Sequence, residues 1–152
     1  MRSDCSLSPD VVDARAVRSV ASQRLPAQMA SDTADRNDAL VRDFLAAWER
    51  RDTERIMSCW DDDGVYHAIA LPPIVGRAAF REFVARFERV PGGRLEIRHQ
   101  VASDRVVMNE RTDRITFRGK PLVVPICAVF EIRDGRIAAW REYFDPALFA
   151  SA

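Results

Sequence analysis

From about Asp35 the chain repeats apolar residues at spacings of three and four. Leu40, Val41, Phe44, Leu45 and Trp48 fall on one stripe, which predicts an amphipathic helix ending near "ERRD". "TERIMSCW" predicts a second, short helix with Thr53 as its cap and Ile56, Met57 and Trp60 turned inward, broken by "DDDG". "VYHAIA" then reads as a strand and "LPPIVG" as a rigid loop. "RAAFREFVARFERV" reads as a helix carrying Phe80, Phe83, Val84 and Phe87, stopped by Pro91, Gly92 and Gly93.

Beyond Gly93 the period changes to two. "RLEIRHQVAS", "RVVMNERTDRITF", "PLVVPICAVFEI" and "RIAAWREYF" are separated by "SD", "RGK" and "RDG", which predicts four consecutive strands in an antiparallel meander. Pro125, inside the third of them, predicts an edge or a bulge. Helices first and strands afterwards make an α+β domain with the helices on one face of the sheet. Residues 1–33 are rich in Ser, Ala, Arg and Asp without sustained periodicity, so they are expected to be a disordered extension outside the core, with the folded domain at 34–152.

Composition narrows the setting. The 152 residues suit one domain, and 23 Lys+Arg balance 23 Asp+Glu, so no net basic field favours nucleic acid or an anionic membrane. Cys5, Cys59 and Cys127 are widely spaced with no CxxC or Cys/His cluster, which argues against a disulfide framework or a zinc site; Cys127 reads as a small core residue. His67 and His99 read as surface or packing residues rather than metal ligands, and "DDDG" lacks the later ligands of a calcium loop. No apolar run approaches membrane-spanning length, so a cytoplasmic protein is the expectation.

The candidate chemistry lies in the second meander strand. Val107, Asn109, Arg111, Asp113 and Ile115 share one side and Val106, Met108, Glu110, Thr112 and Arg114 the other; parity alone leaves open which side faces a pocket. In the last strand Ala138, Trp140, Glu142 and Phe144 share a side, joining two aromatics to a carboxylate, the mixture expected of an apolar cavity with a few placed polar groups.

From Asp35 to Phe149 the chain resembles the limonene-1,2-epoxide hydrolase family, within the SnoaL-like and nuclear-transport-factor-2-like group of cone-shaped α+β folds. The matching stretches are "VYHAIALPPIVGR", "ERTD", "GKPLVVPICAVFEIRDGRI" and "WREYFD". The resemblance implies a curved antiparallel sheet around one pocket, a hydrophobic small-molecule substrate, no cofactor and a homodimer. It further implies one-step hydrolysis of an epoxide to a vicinal diol: Asp113 as the protonated acid, Glu142 as the base that activates water, Arg111 between them, and Tyr66 holding the water. Leu71, Val124, Ile126, Trp140 and Phe144 match its pocket walls.

Two positions depart from the family pattern. An asparagine is expected where Ala68 stands, and the base is usually an aspartate where this chain has Glu142. Loss of the amide forfeits a hydrogen bond to water, worth roughly 0.5–1.5 kcal/mol. Asn109, on the face of Arg111 and Asp113, is a candidate to replace it. Two other functions suit the same fold: an isomerase or polyketide cyclase with a single carboxylate base, and a non-catalytic binder of small ligands.

Overall fold

Arg118 and Asp134 take the left-handed conformation, with φ of 50° and 51°, and the glycines after them follow at 80° and 72°. Both hairpins therefore close on two residues in turns whose twist matches that of the strands they join. A computed structural model describes residues 26–69 and 71–150. Its elements are α1 (Pro26–Arg50), α2 (Thr53–Ser58), β1 (Trp60–Ala68), β2 (Ile74–Val75), α3 (Arg77–Ala85), β3 (Arg94–Ala102), β4 (Val106–Phe117), β5 (Lys120–Arg133), β6 (Arg136–Tyr143) and α4 (Ala147–Ala150).

The strands form one six-stranded sheet in the order β2-β1-β6-β5-β4-β3, antiparallel throughout except where β1 runs parallel to β6. The expected meander is β3 to β6. Helix α1 packs on β3 and β4, and α3 on β1, so the helices cover one face of a curved sheet in an α+β fold. No helix among the described residues is long and apolar enough to cross a membrane.

Several local readings change. The "DDDG" segment is not a helix end: α2 stops at Ser58 and β1 begins at Trp60, so the three aspartates stand in a strand, where Asp61 pairs with Arg133 across the sheet. Asp52, not Thr53, caps α2, its Oδ1 accepting from the Arg55 N–H at 3.0 Å. Residues Ile74–Val75 of the expected loop pair with β1 as a short edge strand. Helix α1 already runs from Pro26, but its side chains from Gln28 to Arg36 are exposed or half-buried, so no apolar stripe marks that part. Residues 1–25, most of the expected extension, lie outside the described residues.

Pro125 sits where β5 outruns the end of β6, whose pairing stops at Cys127↔Tyr143. The edge position is thus a local one, and the β4–β5 register passes Pro125 without a bulge. Cys127 is exposed on the outer face rather than in the core, because the inner face of β5 is carried by Val124, Ile126, Ala128 and Phe130. Strand parity also fails at Ile137. A register shift between β5 and β6 pairs Ile132 with Ile137 but Glu131 with Ala139, and it turns Ile137 into the core.

The core between helices and sheet is aromatic. Trp60 stacks on Phe80 with ring centroids 3.8 Å apart, and from α1 Phe44 packs edge-on against Trp140 and Trp48 edge-on against Phe80. Three buried indole N–H groups, on Trp48, Trp60 and Trp140, lack a hydrogen-bond partner, so ring packing rather than hydrogen bonding holds this cluster. Gly64 fits only because it has no side chain: a Cβ there would lie 2.5 Å from the Trp60 indole nitrogen. Since Trp60 is wedged against Phe80, the ring cannot retreat. Gly64→Ala is expected to cost about 1–3 kcal/mol of stability through overpacking, measured by denaturant unfolding; an unchanged midpoint would contradict this packing.

Candidate active site

The register of the sheet decides which polar side chains meet. On its inner face one rung reads Asn109, Ala128, Glu142 and Ala68 across β4, β5, β6 and β1. The next rung along β4 pairs Arg111 with Ile126, and the one beyond pairs Asp113 with Val124. The face carrying Arg111 and Asp113 is therefore the one turned toward the helices. To reach Glu142, Arg111 must span β5, roughly 10 Å for two strand spacings. Ala128, reduced to a methyl group between Asn109 and Glu142, leaves that path open.

Arg111 reaches both carboxylates. Its Nε donates to Asp113 Oδ1 at 2.8 Å, and its Nη2 donates to Asp113 Oδ2 at 3.3 Å and to Glu142 Oε1. The Tyr66 hydroxyl donates to the other Glu142 oxygen, Oε2, at 2.8 Å. The four residues expected from the sequence thus form one hydrogen-bonded cluster. It lies in a cavity of about 650 Å³ enclosed by the inner sheet face, α1 and α3. Arg111 also lies 5.9 Å from the centre of the Trp140 ring, on whose electron-rich face a cation is favoured.

The cluster sets two carboxyls against one guanidinium in a site nearly closed to water. The Arg111 side chain is 1% exposed, that of Glu142 7% and that of Asp113 13%. Burial opposes the charge on Arg111, but the two carboxylates more than offset it and hold its pKa above the usual value. With both carboxyls ionised the buried group would carry a net negative charge. Burial raises the Asp113 pKa despite the opposing pull of Arg111, and the Glu142 charge pushes it the same way. Burial, then the nearby Glu142 charge, also pushes the Tyr66 hydroxyl well above its ordinary value, so Tyr66 keeps its proton.

All five expected wall residues, Leu71, Val124, Ile126, Trp140 and Phe144, line this cavity, with Leu71 largely exposed at its rim. Further walls that the sequence does not assign to a pocket are Trp48 of α1, Phe83 of α3, Phe87 just beyond it, and Leu95 and Ile115 of the sheet. A helical stripe buries its residues whether they face a core or a cavity, so their spacing held no signal for the difference. Ala68 lines the cavity beside Glu142, its partner on the neighbouring strand. Asn109 is not among the residues that line the cavity: its Oδ1 accepts from Arg111 Nη1 at 3.4 Å and its Nδ2 donates to Gln100. His67 is half-buried on the opposite strand face from Tyr66, and His99 is exposed. Among the described residues no group of three or more His, Cys, Asp or Glu side chains is placed to hold a metal ion.

Comparison with known proteins matches this architecture. The SnoaL-like domain model matches residues 41–140. Over 105 residues, 69% of this chain and 70% of the relative, the sequence is 31% identical to the epoxide hydrolase EphG of Mycobacterium tuberculosis. Among solved structures, an LEH-like epoxide hydrolase of M. tuberculosis superposes with a TM-score of 0.70 at 27% identity, over 81% of this chain and 90% of that one. A polyketide cyclase fold from Xanthomonas campestris, described as putative in its own structure, superposes with a TM-score of 0.65 at 23% identity, over 78% and 97%, and shows the fold alone. With its curved sheet, its helices on one face and its match across most of the folded residues, the chain belongs to the SnoaL-like family and is a homologue of LEH-like epoxide hydrolases.

Proposed function

We propose that the chain hydrolyses a hydrophobic epoxide to a vicinal diol in one step, without a cofactor. The observation that carries this reading is the pair of buried carboxyls bridged by Arg111 on the wall of an apolar cavity. Asp113, with its raised pKa and its greater exposure to the cavity, donates a proton to the epoxide oxygen as the carbon–oxygen bond breaks. Water attacks the ring carbon from the opposite side and gives its proton to Glu142. Tyr66 donates to Glu142, which leaves its own oxygen lone pairs to accept from the same water. Arg111 stays charged throughout. Exchange with solvent then returns a proton to Asp113 and removes one from Glu142.

A single-base isomerase leaves the Arg111 bridge without a task. A non-catalytic binder is the second reading, favoured by Ala68, which offers the water no amide. Incubation with a panel of apolar epoxides, followed by diol analysis, separates them: diol from the wild type supports the hydrolase, and tight apolar binding without diol supports the binder.

Asp113→Asn is expected to lower the rate by roughly 10²–10⁴-fold, because an amide cannot deliver the proton. The pH profile carries a sign. An acid with a raised pKa keeps its proton to a higher pH than an ordinary aspartate, so the rate holds there and then falls as pH rises through that raised value. A profile that already falls across the ordinary aspartate range would contradict Asp113 as the acid.

Ala68 and Glu142 form a lateral pair on β1 and β6, both buried, so the longer acid occupies room beside the shorter neighbour. Asparagine at 68 alone then crowds Glu142, and aspartate at 142 alone falls short of Arg111. The double variant Ala68→Asn/Glu142→Asp is expected to turn over faster than either single one, with a coupling of roughly 0.5–3 kcal/mol in single-turnover rates. Additive effects would dissociate the two positions.

In this reading the protein acts as a homodimer. The outer sheet face leaves Val101, Met108, Val123 and Tyr143 exposed, which supports a second copy as its cover. Sedimentation equilibrium is expected to give twice the 17.2 kDa chain mass; a monomer at micromolar concentration would contradict it.

A further inference from the structure

Arg111 makes a fourth hydrogen bond that goes to neither carboxylate, and its partner opens a chain of hydrogen bonds leading out of the site. Arg111 Nη1 donates to Asn109 Oδ1 at 3.4 Å, and Asn109 Nδ2 donates to Gln100 Oε1 at 3.1 Å. Gln100 Nε2 donates to the Asp38 backbone oxygen at 3.1 Å and to Asp38 Oδ1 at 2.8 Å. Arg42 closes the far end, its Nε donating to Asp38 Oδ2 at 2.7 Å. The chain starts 1% exposed at Arg111, passes through Asn109 at 2%, and ends on the solvent side of α1.

Its polarity is fixed from both ends. A guanidinium can only donate, and a backbone carbonyl can only accept. The two amides between them therefore have one orientation that avoids donor facing donor and acceptor facing acceptor. Each turns its oxygen toward the site and its nitrogen toward Asp38, so the dipoles support the positive charge on Arg111.

Resting on the hydrolase reading, we propose that Asn109 and Gln100 are positioning residues, which hold the Arg111 guanidinium between the two carboxyls during turnover by tying it to α1. The need for them comes from the chemistry. As a proton leaves Asp113 and another reaches Glu142, negative charge moves from one side of Arg111 to the other, and the guanidinium is drawn after it. Asn109 is neutral before, during and after that transfer, so its grip on Nη1 does not change when both carboxyls do. A drift of about 1 Å at such a group costs on the order of a hundredfold in rate.

The test uses the full chain and two variants. Asn109→Leu keeps the bulk and removes the contact to Arg111. Gln100→Met keeps the length at the less buried position and frees the Asn109 amide to turn. Guanidinium 15N–1H spectroscopy reads Arg111 without requiring activity. The wild type is expected to show its Nη1 protons resolved and in slow rotation, and both variants to average the Nη1 pair while the Nε–H and Nη2 signals, held by Asp113 and Glu142, persist. Steady-state kinetics with an epoxide turned over by the wild type should give a kcat lowered roughly tenfold to a hundredfold with KM changed less than about twofold. A fall in kcat that only followed a loss of folded protein would overturn the proposal.

Should Asn109→Leu fail to fold, Gln100→Met carries the same two readouts. Unchanged Arg111 signals in both variants would overturn the proposal, as would a wild-type kcat in a variant whose Arg111 signals had averaged. A wild type that makes no diol from any epoxide sinks the hydrolase reading, and the Arg111 signals then decide on their own whether the relay holds the guanidinium.

Discussion

A guanidinium shut away from water must find its compensation inside the fold, and Arg111 finds it in Asp113 and Glu142. Removing one partner of such a buried pair leaves an uncompensated charge, at a cost of about 3–5 kcal/mol. The arrangement is therefore a constraint on the rest of the sheet as much as a site built upon it. One positive charge between two acidic groups also creates an excess of potential negative charge; burial, with a smaller push from the Glu142 charge, raises the Asp113 pKa against the pull of Arg111. In the proposed reaction acid and base differ in their partners: Asp113 accepts from Arg111, whereas Glu142 accepts from both Arg111 and Tyr66.

The sheet makes the cluster possible through two small residues and a few irregular registers. Ala128 lets Arg111 cross β5, and Ala68 leaves room beside Glu142. Shifts in the β3–β4, β1–β6 and β5–β6 pairings increase local twist, which curves the sheet around the cavity instead of leaving it flat. The helices supply the remaining walls in aromatic side chains, so the polar cluster is exposed to a cavity whose other sides offer few hydrogen bonds.

Much of this was legible in the residues themselves. The stripe from Leu40 to Trp48 and the alternation from Arg94 onward specify helices and meander because burial on one face imposes those periods. The grouping of Arg111 with Asp113 followed from strand parity, but their link to Glu142 and Tyr66 required resemblance to a family, since those partners come from strands that periodicity cannot order. What stayed hidden depended on register. Ile137 turned inward at a bulge, Cys127 turned outward on β5, and "DDDG" lay in a strand despite its helix-breaking composition. Likewise the amides of Asn109 and Gln100 gained their meaning only once β3 and β4 were aligned, because neither residue type announces a partner.

The proposed chemistry stands on the protonation state of Asp113. Selective 13C labelling of aspartate carboxyls, with Asp113 assigned by its absence in Asp113→Asn, gives its titration in the folded protein. The Asp113 carboxyl is expected to hold its proton above the range of an ordinary aspartate and to release it as pH rises further, read at its carboxyl carbon. A carbon titrating within or below that range would mean that Arg111 outweighs burial, and that Asp113 has no proton to give to an epoxide.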